Sequence, residues 1–108
     1  MASEVFTAKE GSVNPINASG RSMTPARQRN AIMNARVEPS RGKTRIDLGG
    51  GQSATIEVSY VNMSQGSVRG ELNMRDYEGA NSFKFGGSSG RSFEDAVNEV
   101  KRDLRRNI

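Results

Sequence analysis

Apolar and polar residues alternate through the middle of the chain, and apolar residues then recur at helical spacing near its end. In residues 44–48, Ile46 and Leu48 fall on one side, Arg45 and Asp47 on the other. In residues 53–63, Ala54, Ile56, Val58 and Tyr60 alternate with Thr55, Glu57 and Ser59. In residues 67–77, Val68, Leu72 and Met74 alternate with Arg69, Glu71, Asn73 and Arg75. In residues 82–85, Phe83 and Phe85 flank Lys84. A period of two predicts strands with one face buried and one wet, as in an antiparallel meander. Three separators punctuate them: glycines 49–51, the stretch NMSQGS with Gly66 free to take a positive φ, and YEGAN at 77–81.

The last segment predicts a helix. Ser92 is an N-cap residue with Asp95 three positions on, a variant of the capping box. Phe93, Val97, Val100 and Leu104 then fall on one helical face, with Ala96 at its edge. Glu94 and Asp95 suit the positive end of the helix dipole, and Lys101, Arg102, Arg105 and Arg106 the negative end. Upstream, Thr24 and Pro25 open a shorter helix predicted over residues 25–36, with Ala26, Ile32, Met33, Ala35 and Val37 as a thin apolar stripe. Pro39 ends it. Residues 1–23 carry only isolated apolar points, Val5, Phe6, Val13 and Ile16, and read as an arm.

The expected fold is therefore α+β. A four-stranded antiparallel sheet carries one C-terminal helix packed on one face (ββββα), preceded by an N-terminal arm and a short helix. The expected division is a basic arm over residues 1–43 and a compact domain over residues 44–108. A body of that size has a marginal core, so the arm is expected to dock on a partner or on a second copy.

Composition narrows the chemistry. Of 108 residues 33% are hydrophobic, and there is neither Cys nor His. The chain therefore lacks the commonest zinc ligands, thiolate chemistry and the usual general base near neutral pH. No catalysis, no cofactor and no metal are expected. No apolar run approaches a membrane span, the start lacks the layout of a secretory signal, and the absence of Cys fits a reducing compartment such as the cytoplasm.

The formal net charge is +4, and it is unevenly spread. Arg21, Arg27, Arg29, Arg36, Arg41, Lys43 and Arg45 stand against Glu38 alone. The end of the chain sets Lys101, Arg102, Arg105 and Arg106 against Asp103. Between them lies an acidic body. Arg outnumbers Lys in the first segment, and guanidinium forks suit phosphates and carboxylates. Arg69, Arg75 and Tyr77 are expected on the wet face of the sheet, where they would add cations and one aromatic ring.

A second candidate is the loop GGSSGRS before the last helix. Gly87, Ser88, Ser89, Gly90 and Arg91 offer donors at a helix N-terminus, a possible anion site. Against it, the loop lacks the Lys and the glycine spacing of a phosphate-binding loop, and Glu94 and Asp95 follow at once. GSSG has the spacing of the KH-domain GxxG, but that loop joins two helices and this one follows a strand. The element order is similar to the module order of Whirly-type single-stranded-DNA-binding proteins and, less closely, to double-stranded-RNA-binding domains. No residue motif is shared, and element order alone does not carry function.

Two functions remain. The first is a small, non-enzymatic nucleic-acid-binding protein whose Arg-rich flanks contact phosphates. The second is a structural or inhibitory interaction subunit, for example of a viral or other large assembly, docking its arm on an acidic protein surface. A homo-oligomer is compatible with either, and no membrane partner is expected.

Overall fold

The computed structural model describes residues 22–40 and 42–108. The arm residues 1–21, with Arg21, and also Arg41 lie outside the described residues. Helix α1 spans Pro25–Asn34. Four strands follow: β1 (Lys43–Gly49), β2 (Gln52–Asn62), β3 (Gln65–Met74) and β4 (Tyr77–Phe85). A short 3-10 turn over Gly87–Ser89 leads into α2, Phe93–Arg106. All neighbouring strands are antiparallel, in the order β1-β2-β3-β4. The expected ββββα architecture is the observed one. No helix among the described residues is long and apolar enough to cross a membrane.

The register explains the alternation. Ile46, Ala54, Leu72 and Gly79 stand in one cross-strand row, and Val58, Val68 and Phe83 align in another. These rows face α2, whose Ala96, Val97, Val100 and Leu104 are buried against them. Ser92 closes the helix start reciprocally: its hydroxyl accepts from the Asp95 N–H, and Asp95 accepts from the Ser92 N–H.

Gly70 sets how closely α2 lies. A Cβ on it would come within 2.5 Å of Val100 Cγ1 and 3.3 Å of Leu104 Cγ. The helix thus packs directly on the backbone of the third strand.

Four sequence expectations need correcting. Gly66 does not turn the chain; it is buried inside β3, opposite Tyr60 on one side and Phe85 on the other. Its missing side chain lets the Tyr60 and Phe85 rings meet edge to face at 5.7 Å. The stretch YEGAN is not a turn either. The chain reverses at Arg75–Asp76, and Tyr77 already pairs with Met74 as the first residue of β4. Helix α1 stops at Asn34, short of 36, and buries Gln28 and Ile32 while Met33 is half exposed. Finally, the break between arm and body does not fall at 43/44. Ile32 is fully buried in the same core as Leu48 and Val100, so α1 belongs to the body.

α1 lies beside α2, over β1. The buried Gln28 amide donates 3.0 Å to the Leu48 carbonyl. Ser22 forms a bridge with Gly49 at the same end of β1. The Gly49 end of the β1 edge is thereby capped. The β4 edge has no such cover among the described residues.

Candidate nucleic-acid interface

The two basic segments, far apart in sequence, meet in space. α1 runs antiparallel to the C-terminal half of α2. Arg29 Nη1 donates 3.1 Å to the Ile108 main-chain oxygen. Lys101 Nζ donates 3.1 Å to Met33 O and 2.7 Å to Ala35 O, taking up carbonyls that the end of α1 leaves free. Arg105 reaches the Met33 sulfur. These three cations fasten one helix to the other. Burial pulls the Lys101 ammonium below its usual range, and the adjacent Arg105 charge adds to that.

The remaining arginine heads on the two segments are exposed. Arg27 sits in the first turn of α1 with its guanidinium unpaired among the described residues; its backbone N–H donates to the Thr24 hydroxyl. Arg36 lies 3.8 Å from Glu38, Arg102 pairs with Glu99, and Arg106 lies 3.7 Å from Asp103. Such exposed pairs are weak and open to exchange for another anion.

The wet face of the sheet is a different surface. Lys43, Arg45, Arg69 and Lys84 stand there against Asp47, Glu57, Glu71 and Glu78. Lys43 is opposite Glu57, and Glu57 is opposite Arg69. Arg69 lies 3.6 Å from Glu71 on its own strand. Opposite charges facing each other stabilise the sheet and leave no excess for a polyanion. Arg75 lies at the β3–β4 turn, where its backbone N–H donates to Gln52 Oε1.

Tyr77 is not on this face. Because β4 begins at Tyr77, it shares a side with Phe83 and Phe85, the side covered by α2. Its ring lies against Gly79, where a Cβ would meet the phenol oxygen at 2.4 Å. The expected outward aromatic is therefore absent, and among the described residues the wet face carries no stacking platform.

The GGSSGRS loop uses several of its donors internally. Gly86 N–H donates to Arg91 O, Ser89 N–H and Oγ to Gly86 O, and Arg91 N–H to Ser89 Oγ. The Arg91 guanidinium donates to Lys84 O and lies 5.6 Å above the Phe83 ring. Gly87, Ser88 and Gly90 complete the reversal, Gly90 in the left-handed region at φ 72°. Among the described residues no group of three or more acidic side chains is placed to hold a metal.

One feature escaped the sequence reading. Tyr60, Val61 and Met63 at the β2–β3 tip are exposed, Met63 almost completely. Val61 and Met63 sit beyond the last alternating position, so nothing in the pattern marked them. Comparison with known proteins gives no guide to this surface: no family model, curated protein or solved structure matches the chain.

Proposed function

We propose that this chain is a non-enzymatic nucleic-acid-binding protein that grips phosphates where α1 meets the C-terminal half of α2. The observation that carries this reading is the joining of the two basic segments into one seam. Arg29, Lys101 and Arg105 hold it together, and the exposed heads of Arg27, Arg36, Arg102 and Arg106 lie on the same two basic segments. Phosphate contacts of this kind position a nucleic acid without reading its sequence. Among the described residues the charge-balanced wet face offers no base-stacking ring, so weak sequence preference accompanies the binding.

Fluorescence anisotropy with a labelled duplex tests it. About five neutralised phosphates give a slope of log K against log[salt] near -4.5. Replacing Arg27 and Arg36 together by Gln lowers the slope by about two. No binding to duplex or single strands at about 50 mM salt overturns the reading.

A second reading, an interaction subunit of a larger assembly, is favoured by the exposed Val61 and Met63 at the β2–β3 tip. It requires a protein complex that survives nuclease and high salt and is lost on Val61→Ser with Met63→Ser.

A further inference from the structure

The β4 edge is the longest unguarded feature of the fold. Its nine residues pair with β3 from Gly66↔Phe85 to Met74↔Tyr77 with no bulge, whereas both other ladders contain a register shift. It has no proline, and among the described residues no element lies along its free side. The Arg91 guanidinium donates to Lys84 O, and Ser82 N–H donates to Asn81 Oδ1. The even-numbered residues thus aim their backbone groups away from β3, toward solvent. An open row of this kind is a template for another strand.

We propose that the occupant is a second copy of this chain. β4 pairs antiparallel with its own equivalent about a twofold axis through Asn81, giving one continuous eight-stranded sheet. This inference does not depend on nucleic-acid binding.

The strand is self-complementary about that residue. The segment reads Tyr77-Glu78-Gly79-Ala80-Asn81-Ser82-Phe83-Lys84-Phe85. Antiparallel pairing centred on Asn81 puts Glu78 opposite Lys84 of the second copy, and Lys84 opposite its Glu78. Both side chains are exposed on the wet face. Ala80 faces Ser82, and on the inner side Phe83 faces Gly79, over which the Tyr77 ring already lies. Tyr77 faces Phe85. Shifting the register by two residues breaks both charge matches at once.

The helix layer agrees with the same axis. Gly70 pairs with Asn81, and Val100 rests on Gly70, so the midpoint of α2 lies level with the proposed axis. α2 covers β3 and β4. With strands about 4.8 Å apart, its axis lies roughly 5 Å from the twofold. Two copies of α2 would then run antiparallel about 10 Å apart, an ordinary helix-packing distance. The Arg91 and Asn81 stand-ins are surface side chains, and each gives way for one exposed hydrogen bond.

Sedimentation velocity of the full chain, without nucleic acid, tests the proposal. At about 100 µM the chain runs as a dimer. Glu78→Lys and Lys84→Glu singly place like charges across the axis and raise Kd about tenfold or more. The two together restore it to within about threefold of the parent. Ala80→Pro removes an outward N–H without touching the β3 ladder, and it gives a monomer with unchanged far-UV circular dichroism. If Ala80→Pro fails to fold, the charge-reversal set still decides. A monomeric parent, or a dimer that none of these changes weakens, overturns the proposal. A double variant no stronger than the singles overturns the Asn81-centred register.

Discussion

Three positions show how little slack the packing has. Gly70 is occupied by its neighbours: Val100 and Leu104 fill the space a Cβ would take. Gly70→Ala lifts α2 and costs about 1–3 kcal/mol, read as a lower urea midpoint at unchanged slope. Gln28 is buried and donates to Leu48 O. Gln28→Leu keeps the volume but strands that carbonyl, and costs about 1–3 kcal/mol by the same measurement. Lys101 titrates below 10.5 in the folded chain because it is partly buried and faces Arg105. Between that lowered value and 10.5 the unfolded chain holds the proton that the folded chain has released. Stability therefore rises with pH through this window, and the gain is complete above 10.5. A neutral amine still donates to Met33 O and Ala35 O, so the seam survives. In paired urea titrations, the parent gains on Lys101→Arg, which does not titrate, as pH approaches the upper limit; no relative gain would show that the lowered pKa is absent.

At the scale of elements, what was legible followed from strict periodicity. The alternations of β1 to β3 and the Phe93-Val97-Val100-Leu104 face needed only a period and a cap. Ser92→Ala removes the hydroxyl arm of the observed cap, leaving only the Ser92 N–H to Asp95 bond, and lowers stability by about 1 kcal/mol, with thermal melting as the check. The misread elements share a cause. The first half of β4 holds Gly79, Ala80 and Asn81, poor strand formers that suit a turn. The ladder to β3 overrides their preference, and this moved Tyr77 from the wet face to the inner one. Gly66 looked like a turn residue, yet its role is to make room for two aromatic rings. In α1 the buried pair is Gln28 and Ile32, and a polar residue in the core has no periodic signature. The seam between α1 and α2 was invisible for a further reason. It joins residues 66 to 79 positions apart through main-chain oxygens, which every residue carries.

For the molecule as a whole, one cluster governs both stability and the proposed binding, and salt should move the two in opposite directions. Folding brings Arg29, Lys101 and Arg105 together along the seam, mostly against main-chain oxygens and a thioether rather than carboxylates. Burial lowers the Lys101 pKa and repulsion from Arg105 lowers it further, so the Lys101–Arg105 repulsion is part of the folded state. The nearby acids are engaged by Arg36, Arg102 and Arg106 in exposed pairs worth little. Raising salt from about 50 to 500 mM shortens the Debye length to a few ångströms and screens that repulsion. A gain of about 0.5 kcal/mol corresponds to a rise of roughly 2–4 °C in Tm for a body of this size. Over the same range phosphate affinity falls steeply, because counterion release no longer favours it. A short duplex added at low salt should raise Tm by neutralising the same cluster, and that increment should vanish at high salt. A Tm that falls with salt would mean that the surface ion pairs outweigh the seam, and the cationic cluster would then not be the strained feature that an anion relieves.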